Sequence, residues 1–474
     1  MTFCARAGEW AAGLAPGELP DRVAQRARLQ VMSMAAARAA GEDAARPFSR
    51  VAPDGPLGEL YAAAAASMAH DWDDYLYMGH TGHSAVWAAR AFAPDDDRAL
   101  VAQVAANEVA GRLGAALLLG PHNGQFWSSI HCASAAVAAG VGIGLDGERL
   151  GHALAIALYQ PPYGLWPGFM GPATKLLTAA EPATQGARAA LLAAGGVDGP
   201  LDVVEAPRGL LRNLSFAARP AMLGELGRVW LTDTLAFKPF PGCAYLQAAI
   251  DAALRAGVDA REVDEVAVAA GYLTVAMERL GRDGGLTPVG VGFSAARSVA
   301  IALLAGRLTH EELAPGWLAA NAAEVERLAA RVTVRHDWTL TLASARGVVD
   351  AGASVRDVPL RAWPRVLRRM RELGMDEAAI PPRELAELAR RADLRRELRA
   401  LATAGSACGI AGLDTGRLRM TFPCRLRLRM RSGSTIDVDG DERGASARPL
   451  AEQRQVVEAR ARAAGLETSA PASA

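Results

Sequence analysis

The chain has 474 residues, of which 51% are hydrophobic and 22% are charged, a composition typical of globular proteins rather than disordered or fibrous ones. Its 51 basic and 51 acidic side chains cancel, so it lacks the excess positive charge with which proteins bind a nucleic-acid backbone. We therefore expect no nucleic-acid partner, and the length predicts two or three domains.

The five cysteines are scattered, and none lies within four residues of another. The chain therefore has no C-x-x-C motif for zinc or redox chemistry, and an odd, scattered set fits a reducing compartment. The N-terminal segment contains Glu9 and Glu18 and lacks the apolar stretch of a signal peptide. The longest apolar stretch, residues 132–145, is shorter than the ~18 residues that a membrane helix needs. These features predict a cytoplasmic protein that does not contact a membrane.

The first half of the chain predicts helices only. Apolar residues recur at helical spacing in segments 18–45, 57–70, 84–93, 97–119, 130–142 and 148–159. Short breaks rich in Gly, Pro and Asp separate these segments. The glycines at 142, 144 and 147 match G-x-G-x-x-G, but an Ala-rich helix precedes them instead of a strand. They therefore predict a helix end and a turn rather than a nucleotide site.

The pattern changes near residue 235. Alternating apolar residues predict strands at 263–268, 331–335 and 418–431, with a turn at 432–434. Helices are predicted at 244–255, 295–304, 362–373 and 450–464. We therefore expect a mainly α protein with a second α+β domain. The predicted parts are a large all-helical domain (1–234, completed by a C-terminal helix at about 441–466), a smaller α+β lid domain (235–440) and a disordered tail (467–474).

Acids and histidines cluster between residues 70 and 83. The cluster consists of His70, Asp71, Asp73, Asp74, His80 and His83. Because unpaired buried charges are costly, such a group indicates a function rather than a structural core. Two interpretations follow from the residues alone. The group binds a divalent metal, as in metal-dependent phosphohydrolases, or it supplies a general acid and base for proton transfer next to a carboxylate.

Only two of the 51 basic residues are lysines, Lys175 and Lys238. A lysine retained in an arginine-rich chain indicates a role that needs a compact ammonium group. Lys175 ends an aromatic loop rich in Gly and Pro, a position from which it would hold a substrate carboxylate. Lys238 lies among prolines at the predicted domain boundary, where ligand sites are common, and serves either the site or a hinge.

These segments, in this order, resemble the MmgE/PrpD family, which includes 2-methylcitrate dehydratases, cis-aconitate decarboxylases and iminodisuccinate epimerases. The matching points are His70-Asp71-Trp72-Asp73-Asp74 with His80, Asn107-Glu108 with Arg112 and Gly114, 145–150, Thr174-Lys175 with Gly186, 236–241 and 293–307. They extend over most of the chain to about residue 310. The resemblance implies a helical domain built from both chain ends, an α+β lid, a homodimer, and a site between the domains that uses no metal or other cofactor.

The resemblance also implies roles for individual residues. Asp71 and Lys175 match the aspartate and lysine of the family motifs, and a family histidine matches His80, with His83 as the alternative. We expect Asp71 or His80 to act as base or acid, His83 to act as a partner and Lys175 to act as a cationic clamp. The expected substrate-binding residues are Tyr75, Gln125, His131, Tyr163, Thr178, Lys238 and Cys243.

Several of these positions depart from the family pattern. Gln125 and Thr178 stand where members often have histidine, Cys243 stands where the decarboxylases have histidine, and Tyr75 stands where the family has threonine. The expected function is a cofactor-independent lyase or isomerase that abstracts a proton next to a carboxylate, in a dehydration, decarboxylation or epimerisation. Its substrate is a small polycarboxylate or a specialised metabolite, and the departures favour the latter. The alternatives are a metal-dependent hydrolase that uses the His/Asp cluster and a non-catalytic member that binds a ligand.

Overall fold

Helices dominate the first half of the chain. The structure is a computed structural model that describes residues 1–122, 126–353, 358–374, 380–404 and 409–467. Its N-terminal helices are α1 (Phe3–Gly13), α2 (Asp21–Ser49), α3 (Pro56–Met68), α4 (Gly82–Phe92), α5 (Asp96–Leu117), α6 (Ser128–Gly142), α7 (Gly147–Tyr159), α8 (Trp166–Phe169), α9 (Leu177–Ala194) and α10 (Leu210–Leu214). The first two strands are short, β1 (Asp74–Tyr75) and β2 (Ala236–Phe237).

The six helices expected in this half are all present, with ends that differ by at most four residues. Local signals explain this agreement. The Asp95 carboxylate accepts a hydrogen bond from the Arg98 amide at 2.8 Å at the start of α5, and Asp146 caps α7 in the same way. The G-x-G-x-x-G glycines join α6 to α7, with Gly144 in a left-handed conformation at φ +80°. They form the predicted helix end and turn.

Helix α6 lies at the centre of the helical part, and every one of its residues is buried. It packs against α4, α5, α7 and α9. A Cβ on Gly186 of α9 would overlap the carbonyl oxygen of Cys132 on α6, so glycine allows the two helices to approach closely. Small residues therefore set the spacing of this core.

The second half mixes helices with a four-stranded sheet. Its strands are β3 (Val263–Ala270), β4 (Val332–His336), β5 (Cys424–Met430) and β6 (Thr435–Asp439), in the order β4-β3-β5-β6. β4 is parallel to β3, whereas β5 and β6 are antiparallel to their neighbours. The remaining helices are α11 (Gln247–Ala256), α12 (Tyr272–Gly281), α13 (Pro288–Phe293), α14 (Ala295–Ala305), α15 (Pro315–Ala329), α16 (Trp338–Val349), α17 (Trp363–Glu372), α18 (Pro382–Arg390), α19 (Ala392–Thr403) and α20 (Leu450–Ala463).

The sheet follows the predicted alternation except at its edge. In β5, Cys424, Leu426 and Leu428 are buried, while the arginines that alternate with them are exposed. β6 was not predicted, because its residues alternate without a buried face of their own. Its acids instead pair with those arginines, and Arg427 contacts Asp437 at 2.7 Å. The mainly α fold with some α+β content is confirmed.

Two hydrophobic clusters account for most of the buried residues. The larger contains helices α1–α7 and α9, and the smaller contains β3, β5, α11, α14 and α15. Ala351, Ile410 and Leu418, which the prediction assigns to the lid, pack in the larger cluster. α20 packs against α2. The division into two domains stays a prediction, and the expected tail lies outside the described residues from 468 onward.

Within the part of the chain that the structure describes, no helix combines the length and the apolar character needed to cross a bilayer.

Candidate active site

The acid and histidine cluster lies in the loop between α3 and α4. Strand β1 in this loop pairs with β2, so that Asp74 lies opposite Phe237. The pairing brings Lys238, which directly follows β2, beside the loop, and its amide donates to the Asp73 carbonyl at 3.4 Å. The segment that carries Lys238 therefore meets the acidic loop, although 165 residues separate Lys238 from Asp73 in sequence.

Asp71 is buried and adopts a left-handed backbone conformation, with φ +53°, which is uncommon for a residue other than glycine and is found mostly where tertiary contacts enforce it. The Lys175 ammonium contacts its carboxylate directly. The Lys238 ammonium donates to the Asp71 carbonyl at 2.8 Å. Both lysines thus fix Asp71, one through its side chain and one through its backbone.

Asp73 connects three other members of the cluster. Its Oδ1 contacts the Lys238 ammonium. Its Oδ2 lies 2.7 Å from Nδ1 of His80 and 3.1 Å from Nε2 of His83. An ionised carboxylate only accepts hydrogen bonds, so His80 carries its proton on Nδ1 and His83 carries its proton on Nε2.

The two histidines differ in the use of the second ring nitrogen. Nδ1 of His83 lies 2.9 Å from the Ser67 hydroxyl, and its side chain is fully buried. Both ring nitrogens of His83 are therefore engaged within the protein. Nε2 of His80 is left on the side of the ring away from Asp73, in a side chain that is 14% exposed. Of the two histidines, His80 lines the cavity described below and His83 does not.

Burial and ion pairing set the charges of this group. Burial by itself would raise the pKa of the Asp73 carboxyl, but Lys238 and His80 hold it well below its usual range. Burial disfavours the charged form of Lys238, yet Asp73 and Asp71 raise the pKa of its ammonium group. Burial lowers the pKa of His83. At neutral pH the group therefore consists of ionised Asp73, charged Lys238 and neutral His83.

A cavity of about 470 Å³ opens in front of this group. Asp71, Tyr75, His80, Lys238 and Cys243 line it. Its other walls come from loop residues 76–79, from Gly271 and α12, from α16, from residues 420–422, and from Leu118, Trp127, Trp166, Phe169, Ala244, Tyr245 and Phe293. Side chains from distant parts of the chain therefore converge on this cavity.

Comparison with known proteins gives a family match for part of the chain. Residues 56–222 match the family model described as the MmgE/PrpD N-terminal domain. We call this matched region the MmgE/PrpD domain. The match supports membership of the MmgE/PrpD family, as the resemblance predicted, and that family consists of dehydratase- and lyase-type enzymes. A search of curated proteins finds no match. The homodimer and the cytoplasmic location stay predictions.

The MmgE/PrpD domain contains the four expected catalytic residues, but they occupy different layers of the site. Asp71 and His80 line the cavity, whereas His83 and Lys175 lie behind them. Nζ of Lys175 lies 3.4 Å from the Met68 carbonyl, in addition to its contact with Asp71. Lys175 therefore contacts Asp71 and is not among the lining residues, and its role as a cationic clamp stays a prediction.

The expected substrate-binding residues are likewise divided. Tyr75, Lys238 and Cys243 line the cavity. His131 is buried behind it, with Nδ1 3.1 Å from the Ser84 hydroxyl. Two other residues are not among those that line the cavity. Thr178 lies on α9, and Tyr163 is 52% exposed and packs against His122. Gln125 lies outside the described residues.

Asp73 belongs to the cluster that the sequence predicts, but it was not among the expected catalytic or substrate-binding residues. The available signal was the spacing of Asp73 from two histidines, seven and ten residues later. Sequence reasoning also missed the walls contributed by α12, α16 and residues 420–422, for which no local motif exists. The cavity includes Cys243, and burial raises the pKa of its thiol to about 12, so this position offers a neutral thiol where the family often has histidine.

The contacts of the cluster bear on whether its side chains are arranged to hold a metal ion. Among the residues with described positions, no three His, Cys, Asp or Glu side chains are grouped so as to hold a metal ion. The Asp73 carboxylate instead binds one ammonium group and two imidazoles.

A second motif of the MmgE/PrpD domain, Glu108 with Arg112, has a structural role. Both side chains are fully buried on α5, and they form an ion pair at 2.7 Å. Glu108 accepts hydrogen bonds from the amides of Leu231 and Thr232, each at 2.8 Å. Arg112 donates to three carbonyl groups between residues 224 and 229. The pair thereby fixes the segment that leads into β2 and Lys238.

Gly114 of the same helix lets the loop before His80 approach α5. A Cβ at this position would overlap the carbonyl oxygen of Met78. We expect Gly114→Ala to displace the loop and to lower the free energy of unfolding by about 1–3 kcal/mol, as overpacking does. Urea unfolding measures the change. The control is Gly316→Ala on α15, where no atom lies within 4 Å of the new Cβ; an equal effect of both substitutions would contradict the steric explanation.

Proposed function

We propose that the protein is a lyase or isomerase that removes a proton from a carbon atom next to a carboxylate, with His80 as the base. One observation carries the proposal: Asp73 holds His80 at the wall of a cavity that Asp71 and Lys238 also line. A carboxylate on one imidazole nitrogen fixes the tautomer and makes the other nitrogen a better base. A neutral His80 can therefore accept the substrate proton on Nε2, and Asp73 stabilises the imidazolium that forms.

Loss of the proton leaves negative charge on the substrate carboxylate, and the cavity offers donors for it. The Lys238 ammonium uses its contacts with the Asp71 carbonyl and the Asp73 carboxylate, which leaves one of its three protons for the substrate. Burial and the nearby Glu442 raise the pKa of Tyr75 well above its usual range, so its hydroxyl remains a hydrogen-bond donor. Donors fixed in advance stabilise developing charge more than water does.

Asp71 is the second acid–base group in this proposal. A dehydration needs a group that protonates the leaving oxygen, an epimerisation needs one that returns a proton to the carbon, and a decarboxylation needs one that protonates the carbon from which carbon dioxide leaves. The Asp71 carboxylate lies on the cavity wall and is held from behind by Lys175. In a dehydration or an epimerisation it can accept the proton that the substrate or the His80 imidazolium gives up and then deliver that same proton to the oxygen or the carbon.

Deuterium incorporation tests the proposal. The enzyme is incubated in D₂O with 2-methylcitrate, citrate, cis-aconitate, iminodisuccinate and 3-hydroxy-arylalkanoic acids, and NMR follows exchange next to each carboxylate. For an acid that exchanges, we expect His80→Gln to slow the exchange by about 10²- to 10⁴-fold. His83→Gln should slow it less, because His83 acts only through Asp73.

The matched control is His152→Gln, which removes a histidine of α7 that contacts the Gly199 carbonyl at 3.1 Å and does not line the cavity. It should leave the exchange rate unchanged. Circular dichroism shows that each variant is folded. Exchange by folded His80→Gln at the rate of the unaltered protein would refute His80 as the base, and no exchange with any acid would refute the proposed function for this panel.

A further inference from the structure

The composition of the cavity wall points to the class of substrate. We propose, on the basis of the function proposed above, that the substrate is a largely apolar, ring-bearing acid with a single carboxylate rather than a small polycarboxylate. Three properties of the cavity carry this proposal: its aromatic lining, its charge balance and its volume.

Aromatic residues are concentrated around the cavity. Phe, Trp and Tyr make up 5% of the chain, yet they supply nine of the 28 residues that line the cavity. They come from both parts of the fold, for example Trp127 and Phe169 from one side and Tyr245, Tyr272 and Phe422 from the other. Such walls gain free energy by burying apolar and aromatic ligand surface, which a citrate-like molecule does not offer.

The charges around the cavity leave little capacity for several carboxylates. Among the described residues of the lining, Asp71 is the acidic side chain and Lys238 is the lysine, and no arginine is among them. Lys175 pairs with Asp71, and Lys238 pairs with Asp73, so the two lysines are balanced by two aspartates. A ligand with two or three negative charges would therefore bury charge without a counter-ion, which is costly. One carboxylate can be met by the remaining donors of Lys238 and Tyr75.

The size of the cavity agrees with a larger ligand. A volume of about 470 Å³ lies within the range of about 300–1,000 Å³ for pockets that hold drug-sized molecules.

Helix α16 provides a matched pair of substitutions for the test. Thr341, Ser344, Ala345 and Val348 line the cavity from one face of the helix, as expected for residues at helical spacing. Ala345→Trp places a large ring on that face. Ala343→Trp places the same ring on the same helix at an exposed position outside the lining, and is the control.

Calorimetry with 4-phenylbutyrate and tricarballylate as probes measures the preference directly. We expect 4-phenylbutyrate to bind the unaltered protein at least about tenfold more tightly than tricarballylate, a difference of about 1.4 kcal/mol. Ala345→Trp should weaken 4-phenylbutyrate binding at least tenfold, and Ala343→Trp should leave it unchanged. Ala345→Phe is the smaller substitution if Ala345→Trp does not fold.

Two results would overturn the inference. One is tighter or equal binding of tricarballylate; the other is 4-phenylbutyrate binding that neither substitution at Ala345 weakens. Deuterium exchange separates this failure from that of the proposed function. Exchange confined to the polycarboxylates would keep the proton-transfer function and overturn the substrate class. Ala345-dependent binding of 4-phenylbutyrate without exchange in any ring-bearing acid would support the class and refute the function.

Discussion

Replacing Asp73 by alanine is expected to lower the free energy of unfolding by about 3–5 kcal/mol, the cost of leaving one member of a buried ion pair without its partner. Asp73 and Lys238 are each only 1% exposed. Without the carboxylate, the Lys238 ammonium keeps only its bond to the Asp71 carbonyl, and two histidines lose their shared acceptor. Urea unfolding followed by circular dichroism measures the loss.

Two further variants test this explanation. Asp73→Leu combined with Lys238→Met removes both charges, and we expect the double variant to be more stable than Asp73→Ala because no unpaired charge remains. The surface control is Asp437→Ala, since Asp437 pairs with Arg427 while both side chains are more than 60% exposed. Its effect should stay below about 1 kcal/mol. Equal losses for Asp73→Ala and Asp437→Ala would refute the assigned role of burial.

Asp73→Ala also separates stability from chemistry. Asp73 holds the proton of His80 on Nδ1, so its loss frees the ring to change tautomer and removes the charge that stabilises the imidazolium. We therefore expect no measurable deuterium exchange even at temperatures where the variant is folded. Exchange at the rate of the unaltered protein would show that His80 acts without Asp73.

Replacing Glu108, which does not itself line the cavity, by alanine is expected to cost a similar 3–5 kcal/mol. The substitution leaves the fully buried Arg112 without its counter-ion and removes the acceptor for two amides and the Thr232 hydroxyl. A buried polar group that loses its partner pays the full desolvation cost. Thermal and urea unfolding of Glu108→Ala measure the effect.

The control for Glu108 has the same spacing on a helix but lies at the surface. Glu42 pairs with Arg38 four residues earlier on α2, and the two side chains are 66% and 45% exposed. Exposed pairs at this spacing contribute about 0.3–0.5 kcal/mol, so Glu42→Ala should be nearly neutral. A small loss for Glu108→Ala, comparable with that for Glu42→Ala, would show that the segment at 224–232 is held by other contacts.

The helices of the first half were predictable because their signals are local. Caps such as Asp95 and Asp146 act on amides three residues away, and the apolar periodicity lies within each segment. Strand β6 was not predictable in this way. Its residues Thr435, Asp437 and Asp439 become a strand by pairing with β5, and their partners belong to another segment of the sequence.

The candidate site was predictable in composition but not in arrangement. The sequence alone identified the segment from His70 to His83 and both lysines, since acids, histidines and rare lysines are unusual in an Ala-rich helical chain. It could not rank His80 above His83, because both follow the same motif. Their difference depends on whether the second ring nitrogen meets Ser67 or the cavity, and Ser67 belongs to a different helix.

The sequence by itself thus determined the helical class, the resemblance to a family and the two chemical segments, because residue type and spacing encode these features locally. Only the tertiary structure decided which acidic and basic side chains form ion pairs. The β1–β2 pairing brings the Lys238 ammonium into contact with the Asp73 carboxylate. The short 3₁₀ helix at Ala173–Leu176 packs against α3, and this leaves Lys175 behind Asp71. The apolar wall of the cavity likewise arises from segments more than 300 residues apart, such as 75–80 and 420–422. Burial changes both the charge state and the accessible atoms of a side chain, and burial is a property of the assembled fold.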